Sequence, residues 1–332
     1  MDPKKTLRTD GDKYIPLDKR EGPESIVYFT RDLSAEGLEK IYKKVKENID
    51  GKIAIKLHTG EKNGPNIIPR PWVENLIKKE IPDATIVETN SYYNGPRYTA
   101  EGHKEVLKIN GWTFAPVDIM DEHGTIDLPV KNGKWFDHMT VGKTLVNYDS
   151  LVVLTHFKGH VAGGFGGSNK NIGIGCADGK IGKAMIHTTP GQSNQWDIGK
   201  EELMERITES TKATVDHFGK KITYVNVMRN MSVDCDCAGT KAAPVVTPNV
   251  GILASRDICA LDQACVDLVF AMGEEHNKAL VERMVSRHAF RQISYMKELG
   301  MGNDRYKLID IDNGDKEILQ TEAVKHIKPF EQ

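Results

Sequence analysis

Long apolar runs are missing from this 332-residue chain: no stretch approaches the roughly 18 apolar residues that a membrane-spanning helix needs. The first residues, MDPKKTLRTDGDKYIPLDKREGPES, lack the apolar centre of a secretion signal, so a cytoplasmic protein is expected, with no membrane partner. Charge of one sign is missing as well. Lys and Arg total 45 against 47 Asp and Glu, and this balance offers no basic field to nucleic acid. Cysteine is scarce. Five residues, an odd number, do not make a disulfide framework, and reduced thiols or metal ligands are expected instead. Internal repeats and low-complexity tracts are absent. What remains, 39% hydrophobic and 28% charged residues, is the composition of a soluble globular protein large enough for one big domain or two.

The residues that are present alternate. After a polar arm over 1–24, SIVYFT (25–30) is expected as a strand and Ser34–Asn48 as a helix. KIAIKL (52–57) and ATIVET (84–89) are strands, separated by a helix over 69–81 with Pro71 near its first turn. Thr99 caps a helix that stops near Gly111. This βαβα order predicts an α/β fold of mainly parallel sheets covered by helices. The rhythm breaks over 112–147, where TIDLPVKNGKWFDHM alternates at period two around Asn132-Gly133 and predicts an antiparallel hairpin insertion. The expected division is an arm (1–24), an N-terminal α/β lobe with the hairpin (25–147) and a C-terminal α/β lobe (148–332). In the second lobe SLVVLT, KITYVNVM, NVGILAS and DRYKLIDID are strands, and Ile198–Gly219 and Asp257–Met272 are helices.

HFKGHVAGGFGGSNKNIGIG (156–175) follows SLVVLT and packs seven glycines, two histidines and two lysines into twenty positions. Glycine is costly in backbone entropy and serves where φ is positive or a ligand approaches the backbone. A loop at the C-terminal end of a buried parallel strand is also where open α/β sheets bind ligands. The spacing does not match a P-loop, because Lys170 is followed by Asn171. Nor does it match the dinucleotide fingerprint of a first βα turn. Two readings remain open: a plain glycine-rich turn, and a reactive centre with His160 and Lys170 on opposite flanks of VAGGFGGSN. A neutral imidazole such as that of His160 or His187 can move a proton near neutral pH or bind a borderline metal. A lysine in an apolar glycine pocket can become a nucleophile or a covalent anchor.

TNSYYNGPRYTAEGHKEVLKINGW, HFKGHVAGGFGGSNKNIGIG and DCDCAG resemble, over nearly the whole chain, the domain-of-unknown-function family numbered three hundred and sixty-two. Longer members carry a ferredoxin module and the label of Fe–S-centre proteins, whereas this chain has no C-x-x-C-x-x-C-x-x-x-C-P run. More distantly, the segment from His160 to Lys170 resembles the H-x-x-A-G-F-S-G-G-x-K loop of nickel-pincer lactate racemases. That resemblance implies His160 as an acid/base, Lys170 as the tether of a nickel-pincer-like cofactor, and His187 as a metal ligand. It also implies a cofactor cradle of Gly163, Gly164, Gly166, Gly167, Ser168, Asn169, Lys170 and Asn171. The chemistry implied is hydride removal from an α-hydroxy acid and its return to the other face.

The N-terminal half supplies candidates at strand ends: His58 and His103 as further catalytic groups, and Arg70 and Arg97 to hold a carboxylate bidentately. An ordinary surface role is open for each. In DCDCAG, Cys235 and Cys237 form a C-x-C pair, two soft metal ligands that still need two more. Cys176, Cys259 and Cys265 would supply them only if the fold converges. Trp72, Trp112, Trp135 and Trp196 are expected as packing residues, and His276 and His288 on solvated or packed helix faces. Two functions follow. The first is an enzyme acting on a small carboxylate or α-hydroxy acid, racemase- or oxidoreductase-like, with a metal-containing cofactor. The second is an iron-sulfur or other metallocentre accessory protein serving a redox partner. Self-association is open under either.

Overall fold

The computed structural model describes residues 10–189 and 198–330, so Trp196 and the first nine residues of the arm lie outside the described part. The chain opens with β1 (Glu24–Thr30), α1 (Ala35–Lys43), β2 (Ile53–Lys56), α2 (Arg70–Glu80), β3 (Thr85–Glu88), α3 (Ala100–Ile109) and β4 (Val117–Ile119). The local signals act as expected. The Ser34 hydroxyl accepts from Gly37 N and starts α1, Pro71 sits in the first turn of α2, and Thr99 caps α3 through Gly102 N. The helix expected to reach Asn48 ends at Lys43, where Lys44 N and Val45 N bond three residues back and tighten the last turn.

Next comes the hairpin, β5 (Thr125–Pro129) and β6 (His138–Gly142), with Pro129 opposite His138 and Asn132 at a φ of 61° in its loop. The glycine-rich region contains β7 (Ser150–His156), β8 (Lys158–His160), β9 (Gly164–Gly166), α4 (Ser168–Gly175) and α5 (Gly182–His187). After it come α6 (Lys200–Phe218), β10 (Ile222–Met228), β11 (Gly251–Ser255), α7 (Ile258–Ala271), α8 (Glu274–Ser286) and α9 (Arg291–Glu298). The chain closes with β12 (Arg305–Asp310), β13 (Lys316–Ile318) and α10 (Gln320–Ala323).

The strands expected in two lobes share one nine-stranded sheet, in the order β13-β12-β1-β11-β10-β7-β2-β3-β4. β2 from the first span pairs in parallel with β7 from the second, and β1 is inserted between β11 and β12. β11 and β13 run against the other strands, so the sheet is mixed but mostly parallel. Every residue of β7 is buried, as its unbroken apolar run required. Leu151 and Val153 enter the core on one face, and Val152 and Leu154 the core on the other. Helices α1, α2 and α3 cover the second face, and α4, α6 and α7 the first. The arm is clamped from Tyr14 onward. Tyr14 stacks on Phe270 at 3.8 Å, and Arg20 pairs with the buried Asp267 at 2.6 Å. Among the described residues no helix is long and apolar enough to cross a membrane.

Chain connectivity reverses between β2 and β7. From β2 the chain moves outward to β3 and β4, whereas from β7 it moves the other way to β10. Such a switch point opens a crevice at the C-terminal strand ends.

Candidate functional site

A cavity of about 340 Å³ lies at those strand ends. Lys56 and His58 reach it from the end of β2, Glu88 and Arg97 from the segment after β3, and Lys158 and His160 from beyond β7. Lys170 and Asn171 enter from α4, and Lys183 and His187 from α5. Leu203 and Ile207 of α6 add an apolar side.

Two glycines let these parts approach. A Cβ at Gly175 would collide with the Lys56 side chain, which runs past the end of α4 to Glu88. A Cβ at Gly167 would collide with the Asp262 carboxylate. That carboxylate accepts from Ser168 N at 2.7 Å and Asn169 N at 2.9 Å, closing the N-terminus of α4 from within the core.

Most of the charge on the wall is paired. Lys56 Nζ lies 2.8 Å from Glu88, Arg97 lies 2.6 Å from Glu61, and Lys158 lies 3.3 Å from Asp236. Tyr93 adds a hydroxyl donor to Glu61. Burial alone would raise the Glu88 carboxyl, but the Lys56 charge, the His58 hydrogen bond and the Arg97 charge hold it well below its usual range. Lys170 differs. It makes no hydrogen bond or ion pair to a described residue, and burial, then the neighbouring Lys158 charge, push its amine down to about 7. Lys183 is lowered to about 8, chiefly by burial, and donates to Thr89 Oγ1 at 2.7 Å and to the Asn90 carbonyl.

The imidazoles on the wall are held neutral. His160 Nδ1 accepts from Gly163 N at 2.7 Å and Ala162 N at 3.2 Å, which leaves its proton on Nε2. Burial and then the Lys170 charge hold its pKa well below the usual value. His187 is lowered to about 3 by burial and the Lys170 and Lys183 charges, and its ring stacks near Tyr92. His58, lowered to about 4 by burial and Arg97, lies 3.2 Å from Glu88. The arrangement can bind a small anion, donate a hydrogen bond from His160 Nε2 and present on Lys170 an amine that is partly unprotonated at neutral pH.

The family model described as "Domain of unknown function (DUF362)" matches residues 53–267. The chain belongs to that family. Among solved structures it is similar to the lactate racemase apoprotein from Thermoanaerobacterium thermosaccharolyticum, at 12% identity and a TM-score of 0.37, over 96% of this chain and 88% of that one. A second similar structure is a protein from Thermotoga maritima, at 12% identity and a TM-score of 0.35, over 58% of this chain and 50% of that one. No curated protein matches.

Of the residues expected at the site, this DUF362 member brings His58, Arg97, His160, Lys170, Asn171, His187 and Cys237 to the cavity. Others do not line it. Arg70 starts α2 outside the cavity, and His103 is fully buried behind it with Nδ1 3.3 Å from the Asn90 amide oxygen. Ser168 and Asn169 turn inward, to Asn226 at 2.8 Å and to Thr208 and Gln292 at 3.1 Å. Gly163, Gly164, Gly166 and Gly167 shape the loop behind the wall rather than lining it. Arg97 reaches the cavity with its guanidinium already engaged by Glu61.

The cysteines also depart from the expected reduced state. Cys235 and Cys237 are joined in a disulfide, since two side chains two residues apart on an extended turn fall within bonding reach, at a Cα–Cα separation of 5.2 Å. Sequence reading missed Lys56, Glu88, Lys158 and Lys183. Lys56 and Glu88 did leave a signal: a charge at the C-terminal end of an otherwise apolar parallel strand.

Proposed function

We propose that the chain is an enzyme that binds a small carboxylate in this cavity and inverts or oxidises the carbon beside it, as in a racemase or oxidoreductase of α-hydroxy acids. One observation carries the reading: a half-buried Lys170 whose amine has no partner among the described residues, beside a His160 whose one N–H is on Nε2. The Lys183 cation attracts the carboxylate, and the His160 Nε2–H donates a hydrogen bond to the substrate oxygen. The apolar side at Leu203 and Ile207 excludes water from the reacting carbon.

The donor set fits a nickel-pincer-like cofactor, with the unpartnered Lys170 amine to tether it and the neutral His187 imidazole to ligate its metal. When bound, such a group supplies a hydride acceptor. The accessory reading rests on His160, Cys235 and Cys237, whose ligand atoms lie within 4.8 Å of one another. Cys176, Cys259 and Cys265 are buried in the core, and the nearby sulfurs are bonded to each other, so the set does not reach the four ligands of a cluster.

The test uses protein isolated from its native cells. Intact mass and peptide mapping should find an adduct on Lys170, and chiral chromatography should find inversion or oxidation of an α-hydroxy acid that Lys170→Ala abolishes. An unmodified Lys170, with iron and sulfide that Cys237→Ser removes, would replace this reading with the accessory one.

A further inference from the structure

The C-x-C pair is not used by the chemistry above, yet it stands on the same wall. Cys237 is half-buried and lines the cavity, whereas Cys235 behind it is 2% exposed. The other three cysteines are fully enclosed, and burial raises the thiols of Cys176, Cys259 and Cys265. The Cys237 end of the disulfide therefore faces the cavity while every other cysteine is shielded.

The surroundings suit thiol chemistry. A His160 ring nitrogen lies within 4.8 Å of both sulfurs, and the proton of that ring is on Nε2 because Nδ1 accepts from Gly163 N and Ala162 N. Lys158 shares the wall, and positive charge near a sulfur favours its thiolate. The turn does not depend on the disulfide for its position. Asp236, between the two cysteines, points the other way and is held by His156 Nδ1 at 2.9 Å and Lys158 Nζ at 3.3 Å. Cleaving the S–S bond thus leaves the turn anchored.

We propose that Cys235–Cys237 is a redox-active pair, reduced through the cavity by a dithiol, either a small molecule or a protein with two neighbouring cysteines. A thiolate of the reductant attacks Cys237 Sγ. The S–S bond breaks, and Cys235 leaves as a thiolate that the His160 N–H stabilises by a hydrogen bond and that takes from solvent the proton the reductant's thiol released. The second thiol of the reductant then attacks the mixed disulfide and releases Cys237. Two electrons and two protons pass to the protein, and the reductant leaves as its own disulfide. The reduced pair places the Cys237 thiol on the cavity wall, with the Cys235 thiol behind it.

The experiment equilibrates the folded protein in buffers of oxidised and reduced dithiothreitol, quenches with N-ethylmaleimide and counts adducts by intact mass. The expected result is no adduct under oxidising conditions and one under reducing ones, mapped to Cys237. The remaining cysteines should react only after denaturation. His160→Phe should slow reduction by about tenfold at neutral pH, roughly the worth of one hydrogen bond to the leaving thiolate, with the equilibrium ratio unchanged. Should the histidine variant fail to fold, the wild-type adduct count still decides the matter. A Cys237 that labels under oxidising conditions would overturn the proposal. So would a disulfide that resists the dithiol in the folded protein, or two sulfurs recovered as thiolates of a bound metal.

Discussion

Around Glu205 buried charge is matched donor for acceptor; around Lys170 it is not. Glu205 meets Arg291 at 2.6 Å and Lys134 at 2.7 Å, and it accepts from Trp135 Nε1 at 2.8 Å. One turn along α6, Glu209 accepts from the backbone of Lys134 at 2.7 Å and from the Tyr295 hydroxyl at 2.6 Å. Together the two carboxylates fasten the hairpin loop and α9 to α6. Lys170, on the neighbouring α4, has no such partner and faces a cavity. Matched charge of the first kind fixes where elements sit. Unmatched charge of the second kind costs stability and is kept where a ligand completes it.

The contrast should break hardest at the matched cluster. Arg291→Met removes one of the two cations on Glu205, leaving it Lys134 and Trp135 Nε1, and is expected to cost about 3 kcal/mol, read as a lower urea midpoint at unchanged slope. A wild-type midpoint would erase the distinction between the two regions. Asp262→Ala should cost less, about 1–3 kcal/mol, because it strands the backbone donors of Ser168 and Asn169. Its loss should also disorder the segment that presents Lys170, visible as faster amide exchange at the start of α4.

Lys170→Met acts on stability with the opposite sign. The folded amine titrates at about 7 against an ordinary value of 10.5, so between those pH values the unfolded chain binds more protons. Stability of the ligand-free protein therefore rises with pH across that window. Methionine should flatten the rise by at most about 1.4 kcal/mol per pH unit and leave the variant no less stable at pH 7. Lys183, shifted in the same direction, should keep its own share of the slope.

How much of this was legible depends on how local the cause is. Ser34, Pro71, Thr99 and Asn132-Gly133 act within a few residues, and the sequence reading placed their elements correctly. The joining of β2 to β7 was not legible, because sheet order is a choice among strands rather than a property of any one of them. The site divides in the same way. His160 and Lys170 announced themselves by sitting on either side of a glycine run. The inward turn of Ser168 and Asn169 depended on Asp262, 94 residues away from Ser168 and placed by α7. Arg97 could be read as a carboxylate ligand only while Glu61 was unseen, 36 residues upstream.

The account stands most directly on the state of the Lys170 amine. Side-chain NMR of ¹³C-lysine-labelled protein, with Lys170→Met to assign the resonance, would follow that amine through a pH titration. The account predicts a midpoint near 7 in the ligand-free protein. A midpoint at the ordinary 10.5 would mean that Lys170 is a solvated surface lysine, and the reactive cavity would fall with it.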